Sequence, residues 1–225
     1  VVCPRPGWVE TDAGQIWQAS RRVIAAAMRA AGAGAGEVAA LGVANQRATT
    51  ILWERSSGRP LHPAIVWQDV RTAARVEQLQ EQGLLASAMT SSTKLEWLLN
   101  ATAQGRERAA AGELCFGTVD TWLVWKLSGG AAHVTDPTNA SRTMLYDIHR
   151  LAWDDELLRL LDVPREILPH VVGSSGDLAR TARAVFGAEV PIAGIAGDQQ
   201  AALFGQACIK PGMVKNTYGT GCFLL

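Results

Sequence analysis

The chain has 225 residues, 48% of them hydrophobic, enough to bury one substantial core or two smaller ones. Lysine plus arginine and aspartate plus glutamate balance at 21 each, which argues against partnership with nucleic acid or an anionic membrane surface. The scattered Cys3, Cys115, Cys208 and Cys222 form no C-x-x-C pair, and His62, His133, His149 and His170 never fall at i,i+4, so the pattern suits a reducing cytoplasm better than a disulfide framework or a zinc site.

No apolar run is long enough to span a bilayer, and the opening Val1-Val2-Cys3-Pro4 has neither the charged start nor the apolar core of a signal peptide. Residues 4–10 are turn-rich. Asp12, with Gln15 three residues on, predicts a capped helix whose apolar face runs through Ile16, Val23 and Ala27 and continues to Met28 and Ala31. The helix ends in Gly32-Ala33-Gly34-Ala35-Gly36. This run follows a helix rather than a strand and lacks the third glycine of a dinucleotide loop, so it reads as a connection.

Residues 38–44 and 49–53 read as strands, separated by Asn45-Gln46-Arg47-Ala48 and followed by a turn through Pro60. Residues 64–69 predict another short strand. Residues 71–82 predict a polar helix with Ala74 and Leu79 inward and Gly83 as its stop. A further helix opens at Thr93-Lys94-Leu95. Residues 113–126 read as strand, turn and helix, with Trp122 and Trp125 at i,i+3 on one apolar ridge whose role is packing. Residues 135–147 form a polar loop into a strand; Asn139, Ser141 and Arg142 either line a cleft or hold the loop together. Residues 153–161 predict a helix with an acidic first turn.

The stretch Val190 to Gly205 organises the rest. An apolar run, a pair of glycines and Asp198 opening a small-residue pattern predict strand, tight turn and helix. Asp198 is then either an N-cap or a working carboxylate at a helix N-terminus. A second strand and turn, Lys215 to Phe223, carries Gly219-Thr220-Gly221, whose N–H groups and hydroxyl suit phosphate oxygens. A carboxylate and a phosphate cradle on neighbouring strand ends suggest phosphoryl transfer to a hydroxyl.

Gly197-Asp198-Gln199-Gln200-Ala201-Ala202-Leu203-Phe204-Gly205-Gln206 and Asn216-Thr217-Tyr218-Gly219-Thr220-Gly221-Cys222-Phe223-Leu224 resemble the FGGY family of carbohydrate kinases, and within it the branch that phosphorylates glycerol. Residues 45–50, 64–69, 93–99 and 113–126 extend the likeness over most of the chain. It implies an α/β domain of the actin-like, ribonuclease-H-like ATPase fold, a mixed sheet with flanking helices. It also implies ATP and Mg2+ as cofactors and glycerol as substrate. By that likeness Asp198 is the general base and faces the metal-bound phosphate. Arg47 and Gln199 orient hydroxyls, Trp67 and Phe223 are apolar walls, and Gly219, Thr220 and Gly221 steady the transferring phosphoryl group.

Residues 1–225 would then be most of the family's N-terminal, substrate-binding domain, truncated at both ends and inactive alone. The phosphate loop before Val1 and the C-terminal nucleotide domain would be absent. Two departures stand out. Ala48 replaces a glutamate that holds a hydroxyl in the family, and the segment 83–93 is short and lacks a substrate-touching tyrosine. These keep open a kinase of another polyol or ketose, or a non-catalytic ligand-binding relic. A dinucleotide-dependent oxidoreductase is disfavoured for want of the glycine fingerprint. The sequence is compatible with a homo-oligomer.

Overall fold

The computed structural model describes residues 1–218 and 222–225. After β1 (Glu10–Thr11), helix α1 (Ala13–Ala31) starts where its cap predicts, the Asp12 carboxylate accepting the Gly14 and Gln15 N–H groups. Gly32 ends it at φ 64°, a left-handed conformation that glycine adopts without a Cβ clash. The inward stripe differs from the expected one. Ile16, Trp17, Ile24 and Met28 are half-buried, whereas Val23 is 68% exposed and Ala27 and Ala31 face outward. Covering the Trp17 indole removes more apolar area from water than covering Val23, and the helix is rotated accordingly.

Strands β2 (Leu41–Asn45), β3 (Ile51–Glu54) and β4 (Ala64–Ile65) follow, β4 pairing antiparallel with β1. The strand expected through residue 69 stops early because Asp69 builds a turn. Its N–H donates to the Val66 carbonyl, and its carboxylate accepts from the Val9 and Arg71 N–H groups and the Arg71 guanidinium. Helix α2 (Ala73–Glu81) buries Val76 and Leu79, an i,i+3 pair of bulky side chains, and leaves Ala74 exposed.

Helices α3 (Ser92–Ala101) and α4 (Gly105–Ala110) lead into β5 (Leu114–Gly117), which pairs antiparallel with β3, and then α5 (Val119–Leu127). Trp122 and Trp125 stack with their planes 4° apart, and the Trp53 ring stands edge-on 5.3 Å from Trp122. Trp122 Nε1 donates to the Ala13 carbonyl at 2.9 Å, so the ridge fastens α5 to the start of α1. A second core gathers Leu52, Ile65, Leu79, Leu95, Leu98 and Phe116 beneath α2, α3 and α4.

Next come β6 (Val134–Thr135), the one-turn helix α6 (Pro137–Ala140), and a hairpin of β7 (Tyr146–Asp147) and β8 (Ala152–Trp153). Helix α7 (Asp155–Leu160) begins two residues later than expected. Trp153 belongs to the hairpin, with its Nε1 donating to the Pro169 carbonyl, and Asp154 supplies the cap. Strand β9 (His170–Val171) lies parallel to β6.

The remaining elements are β10 (Ser175–Arg180), α8 (Arg183–Phe186), β11 (Pro191–Gly197), α9 (Asp198–Gly205), β12 (Asn216–Tyr218) and β13 (Cys222–Leu224). β10 runs antiparallel to β11, and β11 runs parallel to β2, giving the mixed sheet expected of the α/β pattern. β12 and β13 form an antiparallel hairpin. The parallel pair matters most, because it brings the C-terminal ends of two strands out side by side.

Candidate active site

Gly197 pairs with Asn45 at the end of the β11–β2 ladder. Arg47 lies two residues beyond Asn45, and Asp198 directly follows Gly197 as the first residue of α9. No turn intervenes, a correction to the expected tight turn. Gly197 is extended (φ −60°, ψ 148°), and it is glycine for another reason. A Cβ there would stand 2.3 Å from Arg47 Cδ and 2.6 Å from Cγ, so the stem of Arg47 rests in the space a side chain would fill.

The guanidinium of Arg47 donates from Nη2 to Gln199 Oε1. Burial pulls its pKa below the ordinary value and Arg142 acts in the same direction, while Asp198 and Asp136 oppose them. Gly197, not Asp198, holds the N-cap position of α9. Asp198 Oδ1 accepts the Gln199 N–H at 2.9 Å, and the residue is exposed. A carboxylate so placed is open to a ligand.

Arg47, Trp67, Asp198, Gln199 and Phe223, the residues that the family resemblance implies, all line one cleft of about 530 Å³. Ala48, Met89, Arg142, Lys215 and Thr217 lie on the same walls, and among these described lining residues Asp198 is the sole carboxylate. Gly219, Thr220 and Gly221 lie outside the described residues. Of the polar loop, Arg142 reaches the cleft, Asn139 is fully buried, and Ser141 Oγ donates to the Thr138 carbonyl, so the loop serves both expected purposes.

Ala48 is buried at φ 60°, a left-handed backbone on a residue that is not glycine, and presents only a methyl group. Sequence reasoning missed Lys94. Its side chain is fully buried and its Nζ donates to the Trp67 carbonyl at 2.9 Å, holding the segment that carries the apolar wall. Burial pushes its pKa down to about 8 against the pull of Asp69. A signal was present: Lys94 shares a helical face with Leu95, Leu98 and Leu99, where a lysine needs a partner.

Among the described residues no cluster of three or more His, Cys, Asp or Glu side chains could hold a metal ion. The single exposed Asp198 suits Mg2+, which keeps most of its water and is bound through one or two carboxylates plus substrate phosphates.

Parallel strands that deliver a guanidinium and a carboxylate into one cleft define an α/β domain built to bind a small polar ligand. Residues 1–205 match the model of the FGGY family of carbohydrate kinases, N-terminal domain. The chain is 58% identical over 232 residues to the glycerol kinase of Dechloromonas aromatica, covering 99% of this chain and 46% of that protein. It is 53% identical over 234 residues to glycerol kinase 2 of Thermotoga maritima, covering 100% and 47%. The crystal structure of Plasmodium falciparum glycerol kinase with ADP superposes at a TM-score of 0.93 and 30% identity, over 99% of this chain and 47% of that one.

This chain belongs to the FGGY family of carbohydrate kinases, and its fold is that of the family. It spans about half the length of the curated relatives it matches. The aligned stretch with the D. aromatica protein is longer than the chain itself, so that relative carries residues with no counterpart here. No helix among the described residues is long and apolar enough to cross a membrane.

Proposed function

We propose that the complete protein phosphorylates glycerol to glycerol 3-phosphate with ATP, and that residues 1–225 are most of its substrate-binding domain. The observation that carries this is the convergence of Arg47, Trp67, Asp198, Gln199 and Phe223 on one cleft. Identities of 58% and 53% to glycerol kinases support the substrate.

Arg47 and Gln199, already joined to each other, orient two hydroxyls of the polyol. Trp67 and Phe223 cover its carbon face. Asp198 then accepts the proton of the terminal hydroxyl as that oxygen attacks the γ-phosphorus of ATP, whose bond to the β,γ-bridging oxygen breaks to release ADP. Asp198 is the side chain that would face a nucleotide-bound Mg2+, which would supply neutralisation of charge on the phosphate oxygens. Gly219, Thr220 and Gly221 would contact the transferring group. Such catalysis is mainly positioning and charge stabilisation. A cytoplasmic site of action fits four unpaired cysteines.

Ala48 gives a second reading its footing, a kinase of another polyol or a ketose, because the cleft lacks an acceptor at that point. ADP release from the complete gene product, offered glycerol, dihydroxyacetone and a ketose in turn, separates the two. Preference for glycerol supports the proposal; turnover of only another substrate keeps the family and replaces the substrate.

A further inference from the structure

We propose that Thr138, together with Asp136 and Asn139, forms a positioning device that fixes the Asp198 carboxylate relative to Arg47; this rests on the reading of Asp198 as the base. The β2–β11 ladder ends at the Asn45–Gly197 pair, short of both functional residues. Beyond it, the two strand ends are tied to the same short helix, α6.

On the β11 side, the Gly197 N–H donates to Thr138 Oγ1 at 2.8 Å. A backbone N–H can only donate, so the hydroxyl's own proton is free for Asp136 Oδ2, which lies 2.7 Å away. On the β2 side, Asn45 and Asn139 exchange amide hydrogen bonds of 2.9 and 3.2 Å. Asn139 Nδ2 also donates to Asp136 Oδ1 at 2.8 Å. The two lines meet on the fully buried Asp136, which takes a further bond of 2.7 Å from Ser174 Oγ. Thr138 thus holds the residue next to Asp198, while Asn139 holds the segment entering Arg47.

Removing the Thr138 hydroxyl strands the buried Gly197 N–H and frees the start of α9 to shift. A misplacement of about 1 Å in a reacting group costs on the order of 10²-fold in rate. Loss should therefore fall mainly on kcat, because Arg47, Trp67 and Phe223 lie on other segments and of the polyol's contacts only Gln199 belongs to α9.

The test uses the complete gene product with glycerol and ATP. Thr138→Val should lower kcat about 10–100-fold with KM for glycerol changed by less than about threefold, and Thr138→Ser should restore kcat to within about threefold of wild type. A Thr138→Val enzyme within about twofold of wild-type kcat overturns the proposal, as does a Thr138→Ser enzyme no better than the valine variant. Ser174→Ala, which removes one donor to Asp136 at an exposed position, covers the case in which valine prevents folding; its kcat should fall about threefold, and an unchanged value counts against the device.

Amide hydrogen exchange gives a readout that does not need turnover. Gly197 should lose at least about tenfold protection in Thr138→Val while Val43 in β2 keeps its own; unchanged Gly197 protection overturns the proposal. A wild-type protein with no kinase activity would instead sink the assignment of Asp198, and the exchange result would still judge the network.

Discussion

Two desolvated groups, Asp120 and His133, titrate in the same pH window with opposite effects on stability. Asp120 is fully buried on α5, and burial pushes its carboxyl up from 3.8 to about 6, although Thr118 and Thr135 donate to it. Its folded value lies above its unfolded one, so its contribution is fully present below pH 3.8 and is lost as pH rises through about 6. His133 packs edge-on against Trp53 with its Nε2 at 2.8 Å from the Phe116 carbonyl, and burial pulls it from 6.5 down to about 4. Its folded value lies below its unfolded one, so it destabilises the fold below 4 and this penalty disappears as pH rises through 6.5.

Linkage gives the sizes. Between about pH 5 and pH 7, Asp120 removes about 1 kcal/mol and His133 restores about 2 kcal/mol, so the two oppose each other. His133→Gln keeps an N–H for the Phe116 carbonyl but does not titrate. Its urea-unfolding free energy should fall by about 1 kcal/mol over that range. Asp120→Asn should show the reverse slope, a rise of about 2 kcal/mol over the same range. Wild-type slopes retained in both variants would refute the reasoning.

Other predictions concern the cleft. Gly197→Ala places a methyl group within 2.3 Å of Arg47 Cδ and must push the arginine aside. KM for the polyol should rise about tenfold or more with little change in the midpoint of unfolding; an unchanged KM would show that the Arg47 stem has another place to lie. Ala48→Glu returns an acceptor to the wall beside Arg47. It should lower KM for glycerol about tenfold, within the roughly 1–3 kcal/mol that a satisfied buried polar group represents, and a higher KM would show that Ala48 belongs to a site shaped for another substrate.

Much of this arrangement was legible because local rules and tertiary structure agree. Asp12 and Gly32 cap α1, and the alternation of apolar runs with helical patterns yields the mixed sheet. The cleft residues were found from motifs, and one cavity contains all five that lie in the described part of the chain. What local pattern missed depends on packing between distant segments. The seat that Gly197 provides for Arg47 joins positions 150 residues apart in sequence and leaves no periodic mark. Lys94 was visible as an oddity on an apolar face, but its acceptor, the Trp67 carbonyl, becomes apparent only in three dimensions. The stripe of α1 was misplaced because Trp17, the largest side chain in its first turns, determines which face turns inward.

The most direct measurement compares Asp198→Asn with wild type in the complete gene product, reading ADP release with glycerol and, by calorimetry, glycerol binding. As the base, Asp198 should be worth about 10²–10⁴ in turnover, and its loss should leave binding within about threefold, since Arg47 and Gln199 keep their bond. Near-normal turnover in the variant would contradict the account and remove Asp198 from the chemistry.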